Sequence, residues 1–341
     1  MKKIVSEENN VFILAEIAQS YEGNEEVLLE IIQGLYKAKS DGVMFQVVLA
    51  HELAVSDYEY YDLFKSLEMT DETWSKAVKL IQSNGMMAIG EVFGKKSFDM
   101  MMDLGIDGIK IHVSDINNEP FLRYVGDTSI PVLLAIGGAT SKEIENAINL
   151  LNLNKKQITL MHGYQDGPTK IIDTHFNKIR AIAEKYDLLV GYSDHISGSI
   201  AADNKYLNPM AIPFPLVAIG AGATLIEKHV MLDREKVWED FESALSVAEF
   251  SEFVSIIRQI DPALGNITTE RNETELAYRR AIKTVVAKSD LKSGDIICMD
   301  NISFKRPKTT NDPIKNPEIL IGRELKFDVK ANEAITLNLL V

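Results

Sequence analysis

The chain of 341 residues is long enough for one large domain and one small one, and its 46% hydrophobic and 25% charged content is that of a globular protein with a sizeable core. A net charge of −14 repels nucleic acid phosphates and anionic membranes, so an anionic substrate must meet a local cluster of cations. No run of about 18 apolar residues exists to span a bilayer, and Glu7-Glu8 interrupts the start before an apolar leader can form, which reads as a cytoplasmic protein.

From Val11 to about Ile260, short apolar runs of strand type alternate with amphipathic segments of helical length, the pattern of parallel βα units. Strands are expected at residues 11–17, 42–46, 86–93, 108–112, 131–136, 158–162, 188–192 and 225–230. Eight such units favour a closed (β/α)8 TIM barrel over an open sheet. Between the first two strands, residues 25–39 place Val27, Leu28, Ile31, Ile32 and Leu35 on one helical face, and Thr70 is placed to cap a helix running through Ile81. Residues 56–68, rich in Tyr and Asp, break the rhythm and read as a loop or short helix over the barrel's top. The barrel is assigned to residues 1–262, a polar linker to 263–277 and a small β-rich domain to 278–341. In that domain short strands are expected at 283–287, 296–299, 302–305 and 334–340, with a turn at Ser293-Gly294-Asp295. About 65 residues make a thin core, so this domain is expected to dock on something. The single cysteine, Cys298, excludes an internal disulfide and a cysteine-rich zinc site, and reads as a buried small hydrophobe.

In barrels the C-terminal strand ends and the loops after them build the active site. Four of the six histidines fall there: His112, His162, His195 and His229. The last two belong to neighbouring strands and can converge on one divalent cation, with Asp194 and Glu227 as nearby carboxylates. His51 and His175 read as surface residues. Glu16 ends an otherwise apolar run, which is costly unless it is paired or catalytic. Lys110 can neutralise an anionic substrate or simply pair with Glu16 or Asp115. Gly137-Gly138 serves either close ligand approach by backbone N–H groups or plain turn geometry.

The string Gly191-Tyr192-Ser193-Asp194-His195 with Gly198 resembles the Gly-Tyr-Ser-Asp-His-Thr-x-Gly signature of sialic acid synthases. Further matches stand in register along nearly the whole chain: Ala15-Glu16-Ile17, Phe45-Gln46, Lys110-Ile111 with Asp115, Ile226-Glu227-Lys228-His229, and Lys305-Arg306-Pro307. The C-terminal part resembles the antifreeze-like (SAF) domain of those synthases. The resemblance implies a transferase of carbohydrate biosynthesis that condenses phosphoenolpyruvate with an open-chain amino-sugar aldehyde to give a nine-carbon 2-keto acid and phosphate. It implies Mn²⁺ or Mg²⁺ on His195 and His229, with Glu16, Lys110 and Asp194 as catalytic residues. It further implies Gln46, Glu91, Asp115, Gln165, Ser193 and Asp240 around the substrates. Arg306 is implied to reach the partner's barrel in a domain-swapped homodimer.

This chain departs from the family where the donor phosphate is held. The Lys of a Lys-x-Gln motif becomes Met44, and Ser-Thr-Pro-Phe becomes Gly90-Glu91-Val92-Phe93. Lys-Ile-x-Ser becomes Lys110-Ile111-His112-Val113, and Ser-Thr-Gly becomes Ala135-Ile136-Gly137. His-Cys-x-x-x-Tyr-Pro becomes the segment from His162 through Gln165 to Pro168. A carboxylate about 4 Å from a phosphate oxygen opposes binding by roughly 1–4 kcal/mol per unit charge. Three functions stand open from the sequence: a sialic, legionaminic or pseudaminic acid synthase with a rebuilt donor pocket, a metal-dependent barrel enzyme with a non-phosphorylated donor, or a non-catalytic sugar-binding or scaffold homologue.

Overall fold

The computed structural model describes residues 11–154, 157–164, 168–199, 207–234, 236, 238–265, 268–307 and 314–341. Eight parallel strands pair in sequence order: β1 (Phe12–Glu16), β2 (Gly42–Val47), β3 (Met87–Val92), β4 (Gly108–Ile111), β5 (Val132–Ala135), β6 (Ile158–His162), β7 (Leu189–Asp194) and β8 (Leu225–Met231). β1 also pairs with β8, from Phe12 opposite Leu225 to Glu16 opposite His229, and this closes the barrel. A two-residue strand, β9 (Leu245–Ser246), pairs in parallel with the end of β8, Leu245 opposite Val230. Parallel strands are covered on both faces, so they show as apolar runs, and polar residues concentrate toward their C-terminal ends.

The helices bury one stripe each against the outside of the barrel. In Glu25–Lys37 the buried residues are Leu28, Ile31, Ile32 and Leu35, and the Asn24 side chain accepts from the Glu26 and Val27 amides. Val27, expected on the same face, is only partly buried. Helix Asp71–Ser83 is capped by Thr70, which accepts from Thr73 N, and its Trp74 stacks on Phe45 with ring centroids 4.7 Å apart. That stack holds the outward face of β2, leaving Met44 and Gln46 to point inward. Residues 56–68 contain the short helix Tyr61–Ser66. Ser246 caps Val247–Ile260 in a reciprocal box with Glu249, whose carboxylate also receives Arg234.

The chain divides into two compact units, Met1–Asn266 and Ile267–Val341. At the end of residues 263–277, expected to be linker, a helix spans Glu273–Tyr278, because Asn272 and Glu275 form a capping box. The second unit has its own core, including Val285, Ile297, Ile302, Leu320, Leu325 and Ile335. Its antiparallel pair is β10 (Thr284–Ala287) with β11 (Ile302–Lys305). Two expected strands are corrected. Residues 296–299 make only an isolated bridge, Ile296 with Glu324. Residues 334–340 contribute single bridges at Ala334 and Leu340 around a 3₁₀ turn, Leu337–Leu339. In so small a unit, segments cross their neighbours at points instead of running alongside them. Cys298 is exposed, not buried, because it follows Ile297 into the turn that the Asn301 side chain closes.

Candidate active site

The barrel interior is layered. Its floor is apolar: Leu14, Met44, Ile89, Leu133, Met161 and Leu225 pack together, fully buried. Met44, which stands where the family pattern has lysine, is therefore part of this floor. Two residues further along each strand the same inward face carries Glu16, Gln46, Glu91, Ala135, Gly163 and Glu227, with Lys110 opposite Glu91 across β3 and β4. Gly137 and Gly163 sit at the rim. A Cβ on Gly137 would lie 2.0 Å from the Gly163 carbonyl oxygen, and one on Gly163 would lie 2.2 Å from that of Ser193. Close packing of the β5, β6 and β7 ends accounts for Gly137, and the positive φ of 79° accounts for Gly138.

Three buried carboxylates share one ammonium. Lys110 Nζ donates to Glu227 Oε1 at 2.8 Å and lies 3.1 Å from Glu91 Oε1. This replaces the pairing with Asp115 that the sequence left open; Asp115 instead accepts from Asn118 at 2.6 Å. Burial disfavours the Lys110 charge, but Glu227, Glu91 and Glu16 outweigh it and hold the ammonium above the usual lysine range. The carboxyl groups are driven apart. Glu16 is raised well above the ordinary carboxylate value by burial and by its neighbours Glu91 and Glu227. Glu227 is also raised, chiefly by burial. For Glu91, burial is outweighed chiefly by the positive charge of Lys110, and the carboxyl is held below its usual value. Opposed shifts among neighbouring carboxyls are how one site holds an acid and a base together. Glu16 Oε1 accepts from the Ala18 amide at 2.7 Å, an approach that places Ala18 at φ 49°. Glu16 Oε2, both oxygens of Glu91 and Glu227 Oε2 are buried without a hydrogen bond.

Beside this cluster His195 and His229 meet, ring centroids 4.8 Å apart and planes at 73°. His195 Nδ1 is 3.2 Å from the Ser193 carbonyl, which can only accept, so the proton sits on Nδ1 and Nε2 keeps its lone pair. His229 Nδ1 is buried and unpaired. Burial, with help from Lys110 and Lys228, pushes His195 down to about 3. Burial and His195 push His229 well below its ordinary value. Both rings are neutral at pH 7. One ligand atom each from His195, Glu227 and His229 lies within 4.8 Å of the others. Two neutral imidazoles and a carboxylate with a free oxygen form a donor set that suits a divalent cation.

Asp194 stands elsewhere. It follows Ser193 on β7, and one residue turns a side chain to the opposite face. Ser193 faces Glu227 inside, whereas Asp194 pairs with Lys228, Oδ2 to Nζ 2.7 Å, both fully buried. Tyr192 Oη (3.1 Å) and the Ile196 amide (3.3 Å) complete the Asp194 shell. Asp194, expected among the catalytic residues, therefore lies on the opposite face from the histidines, and Glu227 is the carboxylate beside them. The signal was in the sequence: Glu227 and His229 are two apart and share a face. Sequence reasoning missed Gln19, whose amide N–H donates to Asp240 Oδ2 and whose Nε2 donates to Gln46 Oε1, each at 3.2 Å. His112 bonds Ser114, and His162 Nε2 donates to the Thr174 carbonyl at 2.8 Å, so neither joins the pair. In the second unit Arg306 is exposed and donates to the Ala281 carbonyl at 2.7 Å. Gln165 lies outside the described residues.

A closed eight-stranded barrel whose strand ends gather a His/Glu/His set, a buried lysine and further carboxylates defines a barrel enzyme class, joined here to a separate β-rich unit. The NeuB family pattern matches residues 32–269 and the SAF domain pattern matches 282–341. The chain belongs to the NeuB family. An uncharacterized protein of Methanocaldococcus jannaschii is 30% identical, over 95% of this chain and 93% of its own. Pseudaminic acid synthase of Campylobacter jejuni is 26% identical, with 96% of each chain covered. A solved N-acetylneuraminic acid synthetase of Leptospira borgpetersenii, in complex with citrate, has a TM-score of 0.72 at 26% identity, covering 82% of this chain and 97% of that one.

Proposed function

We propose that this protein is a divalent-metal-dependent enzyme that joins a three-carbon donor to an open-chain amino-sugar aldehyde, forming a nine-carbon 2-keto acid of the sialic, legionaminic or pseudaminic type. The observation that carries it is the meeting of His195, Glu227 and His229 with Lys110 and Glu16 in one buried cluster. A cation such as Mn²⁺ or Mg²⁺ on that trio would supply Lewis-acid polarisation of the aldehyde. Glu16, whose carboxyl is pushed toward its protonated form and whose Oε2 is unpaired, holds the proton that the new hydroxyl needs. Gln19, Gln46 and Asp240 form a polar track that fits a sugar chain. Asp115 and Ser193 are proposed to line the site. Arg306, exposed in the second unit, is proposed to complete the site of a partner subunit in a domain-swapped homodimer.

Phosphoenolpyruvate is the donor used by the family this chain resembles, and water and phosphate release then complete the turnover. A donor without phosphate is the second reading, favoured by Glu91 beside Lys110. Purified protein with Mn²⁺, either phosphoenolpyruvate or pyruvate, and a panel of amino-sugar aldehydes tests the condensation. A nine-carbon keto acid is expected from at least one pair. Its absence from every pair overturns the reading.

A further inference from the structure

We infer that Gln19 is a specificity-determining residue whose side-chain oxygen reads a hydrogen-bond donor on the acceptor sugar, and that Glu91 is the positioning residue that fixes which way the Gln19 amide points. The inference rests on the condensation reading above and holds for either donor.

The backbone around Gln19 is the first ground, because it is held as if to display a side chain. Glu16 Oε1 accepts from the Ala18 amide, which turns the chain sharply after β1 and brings Gln19, half-buried, to the barrel mouth just beyond that carboxyl. The turn is tied to the end of β8 and the chain after it at three points. The Gln19 amide donates to Asp240 Oδ2 at 3.2 Å, Ser20 Oγ donates to the Val230 carbonyl at 2.8 Å, and Glu22 Oε1 accepts from the Glu239 amide at 2.6 Å. Ala18 (φ 49°), Glu22 (φ 53°) and Asp240 (φ 61°) all hold the left-handed backbone that residues with a Cβ seldom adopt. Strain of this kind persists only where the surroundings enforce it, and it gathers at ligand sites.

Polarity is the second ground. A carboxamide donates at one end and accepts at the other, so two of them in contact can be ordered in either direction. Glu91 removes that freedom. The register of β2 and β3 sets Gln46 opposite Glu91. Burial works against the Glu91 charge, but Lys110, 3.1 Å away, and to a smaller extent the Gln46 amide hold the carboxyl below its usual value, so it is ionised and can only accept. Gln46 therefore turns its NH2 group toward β3 and its oxygen away. That oxygen accepts from Gln19 Nε2 at 3.2 Å. The donor end of Gln19 is thereby used, and among the described residues nothing donates to Gln19 Oε1. The row from Glu91 through Gln46 to Gln19 ends in an open acceptor beside Asp240. A hydroxyl or an acylamino N–H of the sugar fits such an oxygen, whereas a CH2 or an N-methyl group in the same place leaves it unpaired, and that is how a polar site rejects an analogue.

The test uses the Mn²⁺-loaded full chain and the amino-sugar aldehyde with the highest kcat/KM in the condensation assay. It is compared with analogues in which one hydroxyl is replaced by hydrogen, or the acylamino N–H by N-methyl. In wild type at least one analogue loses about tenfold or more in kcat/KM against its parent, and in Gln19→Met, similar in length but without the oxygen, the same ratio falls to about threefold or less. Glu91→Gln lowers that ratio too, because the row of amides is then free to reverse, while Glu91→Asp, which keeps the charge, retains it. Each ratio compares two sugars on one variant, so a general loss of kcat cancels. A second readout needs no turnover. In the Mg²⁺-loaded chain, NMR coupling across the Gln19–Gln46 hydrogen bond starts from the Gln19 nitrogen in wild type, and it is lost or reversed in Glu91→Gln. No penalty with any analogue in wild type, a penalty that survives Gln19→Met, or coupling that starts from the Gln46 nitrogen in wild type overturns the inference and leaves the condensation reading standing. Keto acid from no aldehyde, with Mn²⁺ bound, overturns both.

Discussion

The barrel wall carries two buried ionic groups, Asp194 with Lys228 on its outer face and Glu16, Glu91, Lys110 and Glu227 on its inner face, and they differ in how completely they are satisfied. Outside the barrel, Asp194 and Lys228 form a closed pair, one carboxylate to one ammonium, with Tyr192 and the Ile196 amide filling the remaining acceptor positions. Inside, three carboxylates compete for Lys110 and four of their oxygens have no hydrogen bond. The outer group is finished by the fold itself. The inner group is left incomplete, and a buried incomplete group needs a cation or a substrate to complete it. Saturation of partners thus separates a structural ion pair from a reactive site where burial does not.

The largest expected effect lies inside. Glu16→Gln keeps the shape of the carboxyl but removes its proton traffic, and is expected to lower kcat roughly 10²–10⁴-fold with an unchanged circular dichroism spectrum. Retained kcat would put the reacting proton elsewhere. On the outer face, Lys228→Ala leaves Asp194 buried and unpaired, and is expected to cost about 3–5 kcal/mol of stability in urea unfolding. Replacing both partners by apolar residues, Asp194→Leu with Lys228→Met, recovers most of that loss. The matching inner change is Glu16→Gln in metal-free protein, which removes the carboxyl whose ionised form burial and its neighbours Glu91 and Glu227 disfavour, and leaves the melting temperature equal or higher. A fall in melting temperature as large as that of Lys228→Ala would erase the distinction.

What the sequence discloses follows from the same contrast. Barrel strands are legible because each is a short, mostly apolar run between helical segments; all eight ranges overlap those expected, and β6 coincides at both ends. The histidine pair is legible because β7 and β8 are neighbours. The face that Asp194 takes is not, because the motif sets it next to His195 and spacing alone does not say where β7 stops. Strand β7 continues through Asp194, and alternation then turns that side chain outward. In the second unit, residues 296–299 and 334–340 have β-type composition but meet neighbours at single points, which no local periodicity records. Gln19 escapes notice because its role comes from Asp240, distant in the chain.

Smaller effects refine the picture. Burial holds His195 neutral down to about pH 3, whereas the unfolded chain takes up its proton near 6.5. Its folded value is depressed, so this contribution to stability is present above about pH 6.5 and is lost as the pH falls toward 3, by up to about 1.4 kcal/mol per pH unit. Urea midpoints of metal-free wild type and His195→Gln are expected to diverge across that window, with wild type losing more; parallel curves would mean that the ring is solvated. On the outer face Tyr192→Phe deletes one hydrogen bond to Asp194 and is expected to cost about 0.5–1.5 kcal/mol, without altering Mn²⁺ affinity.

The most direct test of the incomplete inner cluster is calorimetric titration of Mn²⁺ into metal-stripped protein, run in parallel on wild type, His229→Ala and Lys228→Met/Asp194→Leu. One cation per chain is expected in wild type and in the outer-face variant, with the heat lost in His229→Ala while its fold persists. Binding that survives His229→Ala, or no binding in wild type, would contradict the account.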